Sequence, residues 1–249
     1  MTKIDENFVV QEYNSSGGIE NYSTAIENIW LWKSEQILFK KYFNKSDTIL
    51  DVGCGAGRTT FGLYSLWYEY LTWIDLSENL ITFAKSYAHQ HQYILPFMVG
   101  NVLQLPFEEK SFDKAIFSFN GLMCIPNKEK RLQAIKEIRR VLKDWGVFIF
   151  TTHDRDDSSG KKYFEYWKQE EQTWNSGGQD SRLFELGDRI VHGNWMETFI
   201  HVANQQEVYE LIEKSDFFLI ETVMRWEIAE ESSTVKDFSG ECRFWVVKK

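Results

Sequence analysis

The chain has 249 residues, 28 Lys and Arg against 37 Asp and Glu, and a formal net charge of −9. With 43% hydrophobic and 26% charged residues it has ordinary globular usage, which excludes wholesale disorder and fibrous repeats and leaves room for one large α/β core. The acidic balance argues against a broad nucleic-acid footprint, no apolar run approaches the roughly 20 residues that cross a bilayer, and residues 1–10 lack a signal-peptide stretch, so a cytoplasmic protein is expected.

Cys54, Cys124 and Cys242 are odd in number and far apart, which fits reduced thiols, and no CxxC pair suggests zinc. In chain order, residues 13–18 (YNSSGG) carry turn chemistry, making the N-terminal arm a flexible cap. Ile19, Tyr22, Ile26, Ile29, Trp30, Lys33, Ile37 and Phe43 then fall at roughly helical spacing and predict one or two amphipathic helices. A short strand at 48–52 runs into Gly53-Cys54-Gly55-Ala56-Gly57 and a helix over 58–66. A second strand, 71–74, ends at Asp75, and Ser77 caps a helix running to about residue 90.

Strands at 97–99 and 114–119, a helix over 128–143 and a strand at 147–151 continue the alternation, which indicates βαβ units and a mainly parallel sheet. Residues 153–203 break this rhythm. They collect Tyr163, Phe164, Tyr166, Trp167, Trp174, Phe184, Trp195 and Phe199, and read as an insertion with its own helix and strand. A helix at 205–214 and strands at 217–224 and 242–247 follow; with no helix-length crossover between them, the last two strands pair antiparallel.

The glycine loop lets the backbone turn sharply and lets a ligand lie against bare peptide, although glycine spacing alone also fits a plain structural turn. Asp75 lies 24 residues after Asp51 at the end of the next strand, where a carboxylate accepts both hydrogen bonds of a ribose diol; helix capping is its other reading. A dinucleotide site wants GxGxxG, whereas this loop is GxGxG followed by Arg58-Thr59-Thr60, so an adenosyl sulfonium compound is favoured.

These residues resemble the class I S-adenosylmethionine-dependent methyltransferases, specifically the type 11 group that includes ubiquinone-biosynthesis C-methyltransferases. The likeness is carried by Ile49-Leu50-Asp51-Val52-Gly53-Cys54-Gly55-Ala56-Gly57, by Ile74-Asp75-Leu76-Ser77 and by Gly100-Asn101-Val102-Leu103-Gln104-Leu105-Pro106-Phe107. Ser111-Phe112-Asp113 and Arg140-Val141-Leu142-Lys143 extend it. It implies a Rossmann-like α/β fold: a seven-stranded, mostly parallel sheet with an antiparallel last strand, helices on both faces, and a helical, aromatic insertion after strand five. S-adenosyl-L-methionine would be the cofactor and S-adenosyl-L-homocysteine its product.

By that resemblance Asp51 and the loop of Gly53, Cys54, Gly55 and Gly57 pack against the methionine part of the cofactor, and Asp75 with Leu76 holds the ribose. Asn101 and the Val102 amide read adenine, and Phe117, Ser118, Phe119 and Asn120 give backbone contacts to the methionine end. The family usually carries Asp where Asn101 stands, and Pro-Gly-Gly where this chain has Asp144-Trp145-Gly146.

His153 directly follows strand five and is the best-placed candidate base, against the plainer reading of a loop histidine bonded to backbone. Asp154 to Asp157 read as a solvated loop rather than a Mg²⁺ site, the other histidines form no ligand set, and no metal is expected. Lys128, Lys130, Arg131, Arg139 and Arg140 read as a solvated helix surface. The expectation is one domain: a helical cap (1–46), a cofactor core (47–152), a substrate cover (153–203) and a C-terminal helix with two strands (204–249). It would methylate a small molecule, with tRNA or protein methylation, or non-catalytic ligand binding, as alternatives.

Overall fold

The computed structural model describes residues 2–157, 161–192 and 197–249. Its middle layer is a seven-stranded sheet. β1 (Ile49–Val52), β2 (Leu71–Asp75), β3 (Phe97–Val99), β4 (Phe112–Phe117) and β5 (Leu142–Thr152) lie parallel. The chain's last strand, Arg243–Lys248, runs antiparallel between β5 and the edge strand Phe218–Met224. Numbering these last two β9 and β8, the order is β3-β2-β1-β4-β5-β9-β8. The expected fold class is the one observed.

β1 is buried along its whole length because helices cover both faces of the sheet, as parallel strands require. Its alternation sends Ile49 to one core and Leu50 and Val52 to the other. The first core holds α2 (Ser16–Asn28), α3 (Lys33–Tyr42), α4 (Arg58–Ser65) and α5 (Glu78–Gln90) through Ile26, Phe39, Phe61 and Leu80. The second holds α6 (Lys128–Val141) and α8 (Gln205–Lys214) through Ile135, Ile138, Val208 and Ile212.

Four departures from the sequence reading have local causes. The N-terminal arm is not a flexible turn: α1 (Glu6–Tyr13) is a helix capped by Asp5, and Ser16 to Gly18 open α2 behind the cap Ser15. Gly18 serves close approach there, since a Cβ on it would lie 2.7 Å from the Glu12 carbonyl oxygen. β5 begins at Leu142, so the preceding helix stops at Val141, and the strand carries Trp145 in a left-handed conformation at φ 68° where a turn was expected. The insertion contains α7 (Lys161–Asn175) and a two-stranded hairpin, β6 (Asp188–His192) with β7 (Glu197–His201), rather than one helix and one strand. Trp195 and the Phe164 side chain lie outside the described residues. Two short helices, α9 (Arg225–Ile228) and α10 (Ser233–Phe238), occupy the connection between β8 and β9, which nevertheless pair antiparallel. Among the described residues no helix is long and apolar enough to cross a membrane.

Candidate active site

Strand order reverses between β1 and β4, which opens a crevice beyond the carboxyl ends of β1, β2 and β4. The glycine loop rises from β1 into this crevice with Gly53, Gly55 and Gly57 at φ 62°, 56° and 99°. Gly53 is pressed against the Phe117 ring, 2.4 Å from where its Cβ would stand. Gly55 differs: a Cβ there would meet only Tyr22, at 3.8 Å, so its bare face borders open space.

Asp75 locks the loop. Its Oδ2 accepts the Gly55 amide at 2.7 Å and its Oδ1 the Ser77 amide at 2.8 Å. Burial raises this carboxyl above its ordinary value, although both amides pull the other way. Two recesses meet at Asp75. One is lined by Val52, Gly53, Asp75, Leu76, Asn101, Val102, Leu103 and Phe117, with Glu6, Val9, Val10 and Tyr13 of α1 as its roof. The other is lined by Gly53, Cys54, Gly55, Arg58, Thr59, Ser118 and Phe119, with Tyr22 and Phe238 above.

Most of the expected cofactor residues are therefore brought together, and three are not: Asp51, Gly57 and Asn120, the last of which lines a neighbouring chamber instead. Asp51 and Gly57 border neither recess. The Asp51 carboxyl faces Thr60 at 2.5 Å, its Oδ1 has no partner, and burial pushes it up to about 7. Asn101 lines the first recess with its side chain already engaged. Its Oδ1 accepts the Leu103 amide at 2.9 Å, capping a short helical turn over Val102–Gln104, and its Nδ2 donates to Glu6 at 3.2 Å. Phe119 and Asn120 take positive φ values of 54° and 59°, costly for an aromatic residue, and this turns the chain after β4 into the crevice. Sequence reading missed α1, because its residues face a cavity and leave no core-like signature.

A third chamber of about 530 Å³ adjoins both recesses and shares Tyr13 with each. Phe119, Cys124, His153, Tyr163, Arg189, Ile200 and Phe238 line it. His153 Nδ1 lies 2.7 Å from the Glu241 carbonyl oxygen, which only accepts, so Nδ1 carries the proton and Nε2 accepts from Asn120 Nδ2 at 3.1 Å. The sequence left His153 between a base and a backbone-bonded histidine; the geometry contains the backbone bond and also sets the ring on the chamber wall. Burial lowers its pKa, which keeps it neutral at pH 7. Around it, burial holds the phenols of Tyr13 and Tyr22 well above their ordinary value and pushes the Cys124 thiol up to about 11. Asp154 and Glu241 are engaged by Arg243 at 2.8 Å and Arg225 at 3.4 Å.

The insertion is pinned by buried charge. His201 bridges Asp188 at 2.8 Å and Glu207 at 3.2 Å, Arg155 holds Glu207 at 2.6 Å, and Arg131 pairs with Glu185. Arg131 is thus a buried structural cation rather than part of a solvated basic surface. Glu185, Asp188 and His201 place three possible ligand atoms within 4.8 Å of one another, a cluster the sequence reading did not find. These atoms already serve Arg131, the Phe184 and Glu185 amides and one another.

A family model described as a methyltransferase domain matches residues 43–216, well over half of the chain. The chain belongs to that methyltransferase family. An uncharacterised protein of Methanocaldococcus jannaschii is 33% identical over 132 residues, 53% of this chain and 47% of that protein. A demethylmenaquinone methyltransferase of Lactococcus lactis subsp. lactis is 33% identical over 162 residues, covering 61% of this chain and 62% of the relative. The chain spans about half the length of the first curated relatives it matches. A Methanosarcina mazei structure titled as an S-adenosylmethionine-dependent methyltransferase superposes with a TM-score of 0.68 at 20% identity, over 89% of this chain and 99% of that one. The class I, type 11-like resemblance read from the motifs is borne out, and S-adenosyl-L-methionine is the cofactor of the group.

The site fits that cofactor on its own geometry. Bare backbone at Gly55 faces the second recess, and the Asp75 carboxylate stands between the two recesses as an acceptor for a diol.

Proposed function

We propose that this chain methylates a small molecule with a planar or apolar body, held in the chamber between the insertion and the glycine loop. The observation that carries this reading is the wall that the chamber shares with the cofactor recesses, Tyr13, Tyr22 and Phe119, under a cover to which the insertion gives Tyr163, Arg189, Val191, Thr198 and Ile200. When bound, S-adenosyl-L-methionine supplies an electrophilic methyl group for in-line displacement.

The chain's part is largely positioning. Asp75 holds the ribose, the bare backbone of the glycine loop and the turn at Ser118 to Asn120 align the methionine end, and the Tyr13, Tyr22 and Phe119 rings exclude water between the cofactor and the chamber. Where the acceptor must lose a proton, His153 Nε2 takes it after exchanging its bond to Asn120 for one to the acceptor. A ring-sized chamber is in keeping with a relative named for demethylmenaquinone, and the three free cysteines with a cytoplasmic setting.

The deciding experiment incubates the protein with methyl-labelled cofactor and a metabolite extract, alongside tRNA and protein fractions. Label is expected in a low-molecular-weight product. Label confined to tRNA or protein, or tight cofactor binding with no labelled product, overturns the reading.

A further inference from the structure

We propose that Glu6, rather than Asn101, supplies the acceptor that reads the exocyclic amino group of adenine, so that base recognition is completed by the N-terminal helix. This rests on the cofactor reading above.

Adenine presents a donor at its amino group beside ring-nitrogen acceptors. The group that meets the amino hydrogen must be an acceptor with a free lone pair. Asn101 is the weaker candidate, because its Oδ1 already accepts the Leu103 amide at 2.9 Å, which leaves one lone pair on a neutral oxygen, and its Nδ2 points at Glu6. Glu6 is better equipped. Its Oε1 takes Lys130 Nζ at 2.6 Å and its Oε2 takes Asn101 Nδ2 at 3.2 Å, and a carboxylate with about four lone-pair sites keeps capacity for another donor.

The helix that carries it is built to face a ligand. Glu6, Val9, Val10 and Tyr13 stand at i, i+3, i+4 and i+7, one face of a helical turn pair, and all four line the adenosine recess. Glu6, Val9 and Val10 stay outside the protein core, and Tyr13 packs at its edge against Tyr22, so most of this face is left for an occupant of the recess. Tyr13 spends its hydroxyl on Cys124 at 3.3 Å, which leaves Glu6 as the charged acceptor on that face.

The pairing also accounts for the asparagine. An aspartate at position 101 would set a second carboxylate about 3 Å from Glu6, a like-charge contact with no proton donor between them. Asn101 and Glu6 therefore belong together: the negative charge sits on the helix, and the amide holds it in place.

Calorimetry on the full chain tests this with S-adenosyl-L-homocysteine and its hypoxanthine counterpart, S-inosyl-L-homocysteine, in which a carbonyl oxygen replaces the amino group. Wild-type protein is expected to prefer the adenine compound by at least about tenfold. Glu6→Gln should bind the adenine compound about tenfold more weakly, and its preference should collapse to within a few fold because a glutamine amide can donate to the carbonyl. Lys130→Met should weaken both ligands alike. Asn101→Asp should weaken binding, and the double variant Glu6→Gln with Asn101→Asp should recover it. An unchanged base preference in Glu6→Gln, or tighter binding in Asn101→Asp, overturns the assignment. If wild-type protein binds neither ligand, the cofactor reading itself falls.

Discussion

Single side chains divide the site into parts that fail differently. Gly53 and Gly55 have nearly equal φ values, yet only Gly53 is hemmed in by a ring. Gly53→Ala is expected to cost about 2–4 kcal/mol of stability, adding a clash to a left-handed alanine. Gly55→Ala should cost only about 1–2 kcal/mol while filling the recess, so S-adenosyl-L-homocysteine affinity falls at least tenfold in a protein that still folds. Thermal unfolding and calorimetry on the two variants check this; equal affinity loss per unit of stability lost in both would refute it. His153 makes a separate expectation. Its pKa lies below the ordinary 6.5 because burial disfavours the imidazolium, so the neutral base is present above that value and is lost as pH falls through it. The rate of methyl transfer should be flat near pH 7 and fall on the acid side, and His153→Gln should slow the reaction about a hundredfold and erase the acid limb. A retained acid limb in that variant would show that another group takes the proton.

Elements were legible wherever their logic is local. Ser77 caps α5 as read, Phe97–Val99 and Gln205–Lys214 fall at the expected bounds, and the strand-to-loop-to-helix unit around Gly55 follows from glycine and periodicity alone. Elements defined by what they face across space were not legible. α1 turns its inner side to a cavity, and β6 and β7 are held by partners far apart in sequence, with Arg155 reaching the Val202 carbonyl and Glu207, and Arg131 reaching Glu185. That hairpin carries a pH dependence of its own. Burial raises the Glu207 carboxyl, but hydrogen bonds from His201 and Arg155 outweigh it and bring the value to about 2, against an ordinary 4.5. Its contribution is therefore fully present above pH 4.5 and is lost as pH falls through about 2. Glu207→Gln retains the cap of α8 but loses the charge. Its urea midpoint should correspond to about 1–2 kcal/mol less stability at pH 6, a figure discounted because Glu207 is 36% exposed, and should converge on wild type at acid pH. A gap independent of pH would mean that the ionised carboxylate is not what holds the hairpin.

At the scale of the whole molecule, the roof over the two recesses and the inner wall of the chamber are one structure. Tyr13 borders both recesses and the chamber, while α1 and the residues around it are tied to the insertion through Ile4 to the Arg182 carbonyl at 3.1 Å and Glu12 to the Glu197 amide at 2.9 Å. A cofactor seated beneath α1 rests against the same ring that closes the chamber's inner end, so we expect the chamber to gain its finished wall once the cofactor is in place. Substrates should consequently add in a compulsory order, cofactor first and acceptor second, and the demethylated cofactor should leave last. Steady-state inhibition makes this visible: S-adenosyl-L-homocysteine should compete with S-adenosyl-L-methionine and be noncompetitive against the acceptor, and the methylated product should be noncompetitive against both substrates, whereas a methylated product that competes with the acceptor would show random addition. One tyrosine at the junction of three cavities would thus set the order in which they fill and empty.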